Sequence, residues 1–389
     1  MKKFYLIIMI SCTMFELHAQ NIETKYTFTS KRIIDLPSLD NGEPNPGVAG
    51  PITGIIGNNL LVAGGANFPD IPPWIGGKKM FQSKIYLLKR LKSGKFQWST
   101  KPIGHLSEPV AYSSNINIPE GILALGGENE SGSLKSVKLF QIQNKKLEIS
   151  EYPELPIPVS SAGAAFIGNK VFLAGGVSNN KVLNNFYLLD LSNSNEQWKE
   201  LKSIPIPLSN AVVVAQNDGF EECIFVIGGR YRLEGDDLTT YSDKIFIYSP
   251  SKQAWRMTDF IAYDGTKIKL AAGTGVAIGQ HEIAIFGGDQ GDIFNKIEDF
   301  NNKLAMTENV DRDKLQEEKV QLVTHHPGFK RDVLIYNTIS GLSRIIGTLP
   351  CAVPVTTSAF FWNHGVVIVS GEIKPGIRSP ALISIKISN

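Results

Sequence analysis

The chain has 389 residues, 42% hydrophobic and 20% charged, with 39 Lys and Arg against 37 Asp and Glu and a formal net charge of +2. So apolar and so nearly neutral a chain is not a disordered polyelectrolyte, its 36 glycines follow no collagen period, and no overall basic field attracts a nucleic-acid backbone. Length alone allows two or three ordinary domains, or one large β or α/β barrel-like domain.

The chain opens with Lys2 and Lys3, an apolar run from Phe4 to Phe15, and Leu17-His18-Ala19 before a plausible cut. That order is the pattern of a secretory signal peptide over residues 1–20, so the mature chain, 21–389, is expected in the periplasm. Cys12 offers a lipoprotein acceptor as the alternative, but the apolar run continues past it. No other segment approaches the roughly 18 to 20 apolar residues that a bilayer span requires. Cys223 and Cys351 are too few for a disulfide framework and have no metal-ligand spacing, so both are expected to be buried small apolar residues.

Past the leader, an apolar run ending in a glycine pair recurs as LLVAGG (Gly64, Gly65), ILALGG (Gly126, Gly127), VFLAGG (Gly175, Gly176), IFVIGG (Gly228, Gly229) and AIFGG (Gly287, Gly288). The spacing scatters around the roughly 50-residue kelch period. A sixth run, VVIVSGE, keeps Gly371 and reads as though Glu372 had replaced the second glycine. Each unit divides into four short strands, as one propeller blade does, and the glycines suit close backbone approach between blades.

The fourth strand has its own signature, an apolar or Trp-containing strand often running into Leu-Pro or Ile-Pro. It occurs at Tyr26 to Pro37, Phe96 to Trp98, Leu147 to Pro156, Gln197 to Pro205, Ala254-Trp255 and Ser343 to Pro350. The first precedes any glycine pair, and the last pair reaches the C-terminus with no fourth strand after it. The expected fold is therefore an all-β, six-bladed kelch-type propeller forming one domain over 21–389, with the N-terminal strand completing the last blade and removing its open edge. Trp98, Trp198 and Trp255 are expected to pack between blades. Asn67 to Met80, rich in Pro and Gly, reads as a long surface loop. Residues 289–330, with Phe294, Ile297, Phe300 and Leu304 at helical steps, read as a helical insertion in blade five lying over one mouth of the ring. His325 and His326, beside it, read as surface residues.

A propeller alone assigns no reaction. The segment that breaks the repeat, Gly371-Glu372-Ile373-Lys374-Pro375-Gly376-Ile377-Arg378, resembles the GE-x-KPG-x-R segment of the bacterial sialic acid mutarotases, or N-acetylneuraminate epimerases, which are exported six-bladed kelch propellers. VAGP near Val48, LLVAGGANF, and GGDQGDIFNKIEDFN at Gly287 to Asn301 are similar to further segments of that family. The similarity extends over nearly all of the mature chain, but the family's GE-x-KPG-x-R blade lies mid-chain in the familiar enteric member and last here. The chain therefore resembles a circular permutation, which a closed ring with neighbouring termini allows.

The resemblance implies catalysis by Glu372 and binding of the substrate by Arg378. Opening the hemiketal of N-acetylneuraminate at C2 needs a base for the O2 proton and an acid to return it, and one carboxylate can do both. An Arg suits the substrate carboxylate through paired N–H donors. Neither step calls for a cofactor or a metal. Glu128 after the second glycine pair, Asn67 and Phe68 after the first, and Arg230 after the fourth are the further rim candidates. The family implies a homodimer, a small acid sugar as partner, and no nucleic acid. The rival reading is a non-catalytic kelch propeller that binds glycan or protein by the same rim. A sialidase would need S-x-D-x-G-x-T-W boxes, which are missing, and a kelch-type copper radical oxidase would need Tyr and His companions that neither Cys223 nor Cys351 has in sequence.

Overall fold

The second strand of each unit is apolar at nearly every position because both of its faces meet a neighbouring sheet. Val171 to Ala174 in Lys170–Ala174 and all of Gly365–Val369 are buried in this way. The computed structural model describes residues 26–388 except 100–101, 194–196 and 308–309, so the leader lies outside the described residues. Six sheets of four or five strands surround an axis, each reading from an inner strand to an outer one. Blade 1 runs from Ile52–Ile56 out to Phe96–Trp98, blade 2 from Ser114–Ile118 to Lys146–Tyr152, and blade 3 from Gly163–Ile167 to Lys199–Glu200. Blade 4 runs from Val212–Asn217 to Ala254–Asp259 and blade 5 from Thr274–Ile278 to Leu342–Thr348. In blade 6 the inner strand is Ala359–Trp362, and the outermost is the N-terminal Thr27–Asp35, antiparallel to Ala381–Ser388 with Thr27 opposite Ser388.

A large apolar cluster fills each of the six gaps between neighbouring blades. Trp98, Trp198 and Trp255 each donate Nε1–H to a main-chain carbonyl of the preceding blade, at Asp35 (2.6 Å), Pro153 (2.8 Å) and Lys202 (2.7 Å). They are packing residues, as expected, and the indole donor explains why Trp serves better there than Phe. Cys223 is buried, whereas Cys351 is only half-buried, and both are free thiols.

The first glycine in four of the five pairs lies against the next blade's main chain, a Cβ on Gly64 coming within 2.4 Å of the Val110 carbonyl oxygen, while Gly287 lies against the Val353 side chain. Blade 6 solves the same crowding differently. Ser370 stands there at φ +53, matching +59 to +65 in the first glycines, and Gly371 at φ +110 matches the second glycines at +88 to +112. The buried Ser370 hydroxyl accepts from Val48 N–H (2.8 Å), so its side chain closes the gap by bonding. Glu372 therefore does not replace the second glycine. Serine replaces the first, and Glu372 stands one place beyond the pair.

That place is a repeated rim position. Ala66, Glu128, Val177, Arg230, Asp289 and Glu372 each bridge to a small residue at the head of their own inner segment, Ala49, Ala111, Ser160, Ser209, Ala271 and Val355 respectively. The next residue of each segment is left-handed: Gly50, Tyr112, Ser161, Asn210, Ala272 and Thr356, at φ +53 to +61. Their amides donate in a closed circle, each to the corresponding carbonyl of the preceding blade, from Gly50 N–H to Thr356 O (2.7 Å) round to Thr356 N–H to Ala272 O (3.1 Å). This hydrogen-bonded collar separates the rim from an axial cavity of about 190 Å³ lined by the inner strands.

In the described residues of five blades, a two-stranded hairpin follows the rim position. Blade 5 instead carries helices α1 (Asp292–Met306) and α2 (Val310–Thr324). Leu304 of α1 is buried and Phe294, Ile297 and Phe300 are half-buried, which matches the apolar stripe in the sequence. The insertion roofs the mouth. Glu298 of α1 pairs with Arg232 of blade 4 (2.5 Å), and Gln316 of α2 donates to Trp74 O (3.2 Å) in the Pro73–Ile75 turn of blade 1. His326 is not a surface residue. It is 4% exposed and accepts the Gly328 amide at Nδ1 (3.0 Å), because the chain leaving α2 turns inward beneath the roof, whereas His325 stays exposed.

Candidate active site at the roofed mouth

Blade 6 presents Glu372–Lys374 and Ile377–Arg378 as a tight hairpin at the rim. The pairing places Glu372 directly opposite Arg378, so the six-residue spacing in sequence becomes a side-by-side contact. Gly376, at φ +77, makes the turn, and the space a Cβ would need is filled by Pro73 and Trp74 of the blade 1 loop. Its amide donates to Glu372 Oε1 (2.7 Å), and Arg378 Nη1 donates to the same oxygen (3.0 Å). Among the described residues no donor reaches Glu372 Oε2. The Arg378 side chain is 5% exposed and that of Glu372 18%. Arg378 also lies over the Phe68 ring, 5.0 Å from its centroid, and Nε approaches Ala66 O (3.4 Å).

A second carboxylate sits at the equivalent place in blade 2. Glu128 Oε1 takes Lys79 Nζ (2.7 Å), from the blade 1 loop, and Oε2 takes the Ser160 hydroxyl (3.2 Å). Tyr112 of the collar follows Ala111, the bridge partner of Glu128, and the charges of both carboxylates act on it. The Lys79 ammonium is 5.5 Å from the Tyr112 ring centroid, and the phenol interacts with Arg378. Burial, with the Glu372 and Glu128 charges adding to it and Arg378 opposing, pushes the Tyr112 phenol up to about 12, so it is neutral across the physiological range. A Tyr at φ +57 is a strained choice for so bulky a residue.

On the far side of the mouth Arg230 stacks over Phe294 of α1 (4.4 Å) and donates to the Tyr241 hydroxyl (3.3 Å), which in turn donates to Asp289 Oδ2 (2.5 Å). Among the described residues no carboxylate lies within ion-pair distance of Arg230. Burial first, then the Asp289 and Lys374 charges acting in opposite senses, leave the His326 imidazole below its ordinary value.

Of the residues singled out from sequence, Glu372, Arg378, Phe68, Glu128 and Arg230 all stand at this mouth. Asn67 is beside them but buried, with Nδ2 on Gly47 O (2.9 Å) and Oδ1 accepting from Gln82 (3.0 Å), so both ends of its amide hold the loop. Tyr112, Lys79, Tyr241 and Asp289 are not singled out by the sequence reading, and His326 is read there as a surface residue although it is buried. For Tyr112 a signal existed: the heads of the inner segments, VAG, VAY, VSS, LSN and LAA, form a second repeat in which one member is large.

The chain is thus a kelch-type six-bladed propeller whose roofed mouth holds a carboxylate and a guanidinium locked together. More narrowly, the family model described as N-acetylneuraminate epimerase matches residues 152–389, more than half of the chain, and the chain belongs to that family. Curated relatives include the N-acetylneuraminate epimerases of Brucella suis, 33% identical over 123 residues (31% of each chain), and of Vibrio vulnificus, 31% identical over 119 residues (29% of this chain, 30% of that one). That of Salmonella typhi is 28% identical over 160 residues, 41% of this chain and 40% of its own. The aligned stretches thus cover well under half of each of these relatives.

Proposed function

We propose that the protein interconverts the α and β anomers of N-acetylneuraminate by general acid and base catalysis at C2, with Glu372 as the proton acceptor. The observation that carries this reading is the one-sided anchoring of Glu372. Oε1 is fixed by the Gly376 amide and Arg378, and the other oxygen is left for a ligand. A fixed carboxylate with one unused oxygen can take the O2 proton, let the C2–O6 bond open, and return the proton after the open form rotates. Arg378 has five N–H donors. It directs Nη1 to Glu372 and Nε towards Ala66 O, and others serve the substrate carboxylate, which is bonded to the same C2. Arg230, with no carboxylate partner among the described residues, supplies further positive charge to the mouth. The leader over residues 1–20 would place this activity in the periplasm. Thr27–Asp35 pairs with Ala381–Ser388 to close the ring in blade 6, and because the rim is unchanged by where such a ring is cut, a circular permutation is compatible with the same site.

NMR of freshly released α-N-acetylneuraminate tests the reading. Catalytic amounts of protein are expected to speed the approach to anomeric equilibrium, and an unchanged rate would leave only a binding propeller.

A further inference from the structure

The collar holds one anomaly. Five of its six left-handed positions carry Gly, Ser, Asn, Ala or Thr, and the sixth carries Tyr112. A small residue would satisfy the backbone there with less strain, so the aromatic side chain must serve something other than the collar. The ring reaches from blade 2 across Gly50 of blade 1, where a Cβ would come within 2.6 Å of the Tyr112 ring, and the Arg378 charge of blade 6 acts on its phenol. Two further contacts fix it: Lys79 lies over the ring, and Lys79 is itself held by Glu128. Tyr112 also lines the axial cavity, so the charged rim and the cavity meet at this residue.

We infer that Tyr112 is a second catalytic residue, the proton donor to the ring oxygen of the sugar acid, working opposite Glu372. This rests on the anomer-interconverting reading above. Ring opening breaks two bonds, O2–H and C2–O6, and a carboxylate on O2 leaves the departing O6 without a proton. In the step proposed, Glu372 takes the O2 proton, the O2–H electron pair becomes the second C2–O2 bond, and the C2–O6 pair leaves on O6 as O6 takes the Tyr112 proton. The phenolate so formed is stabilised by two cations, Lys79, 5.5 Å from the ring centroid, and Arg378, whose charge favours the ionised form. After rotation about C2–C3 the sequence reverses. O6–H returns its proton to the phenolate and attacks the other face of C2, and O2 recovers the proton from Glu372. Both groups end as they began, and no co-reactant is needed.

Tyr112→Phe removes only the hydroxyl and keeps the ring over Gly50. With anomer exchange followed by NMR, kcat is expected to fall at least about a hundred-fold with KM within about threefold, the range of a positioned general acid. Added imidazole, a small general acid, is expected to recover part of the rate. A Phe variant within about threefold of the wild-type kcat, or one whose loss lies wholly in KM, overturns the assignment. A second measurement needs no variant: in H2O–D2O mixtures the wild-type rate should curve as it does for two protons moving in one step, and a linear dependence overturns the proposal. The wild-type protein is assayed first. If it does not accelerate exchange at all, the functional reading itself fails and takes Tyr112 with it; acceleration that survives Tyr112→Phe sinks Tyr112 alone.

Discussion

Blades 2 and 6 carry the same residue at the same rim position, yet Glu128 and Glu372 are not equivalent. Each is a glutamate bridged to the head of its own inner segment, and each is paired to a cation. Glu128 is bound at both oxygens, by Lys79 and Ser160, and its pair is open to solvent at 26% for Glu128 and 38% for Lys79. Among the described residues Glu372 is bound at one oxygen only, and its partner Arg378 is 5% exposed. The difference separates two jobs that charge alone cannot distinguish. On the reading proposed above, an enclosed carboxylate with an unused oxygen is arranged to accept a proton, whereas one satisfied at both oxygens is arranged to hold a lysine over Tyr112.

The sharpest way to break this comparison is to neutralise each carboxylate in turn. Glu372→Gln is expected to slow anomer exchange by about 10²- to 10⁴-fold, and Glu128→Gln by less than about tenfold. Equal losses would mean that the two blades share the chemistry. Stability should separate them as well: Arg378→Met strands a partly buried carboxylate and is expected to cost about 3–5 kcal/mol, while Lys79→Met at the open pair costs at most about 1 kcal/mol by denaturant titration. Restoring the repeat in blade 6 by Ser370→Gly would leave the Val48 amide without its partner, at about 1–3 kcal/mol. Val177→Ala, at the same rim position in blade 3, should change neither rate nor melting appreciably. A clear loss of rate there would show that the whole rim, not blade 6 with Tyr112, carries the activity.

Much of this architecture is legible along the chain because a propeller repeats locally. The glycine pairs exist where a Cβ would strike the next blade, and the Trp-bearing outer strands exist where an indole can reach the preceding one. Both constraints recur with the blade and so are visible as spacing. The register of the sixth pair was misread, since VVIVSGE offers Gly371 as either member of a pair. Only the backbone angles of Ser370 and Gly371, and the bridge from Glu372 to Val355, decide which. His326 was misplaced for a related reason, because its burial depends on a roof made by residues distant in sequence.

The sequence by itself determined six blades, closure by the N-terminal strand, the helical insertion, and the short segment that carries Glu372 and Arg378. Each of these follows from periodicity or from a short contiguous motif. The tertiary structure decided that Glu372 Oε2 is left open, that Glu128 is held at both oxygens, and that the charges of both act on Tyr112. Those facts depend on Lys79, Tyr112, Ser160 and Arg378 arriving from four different blades, and a ring brings such positions together only when it closes.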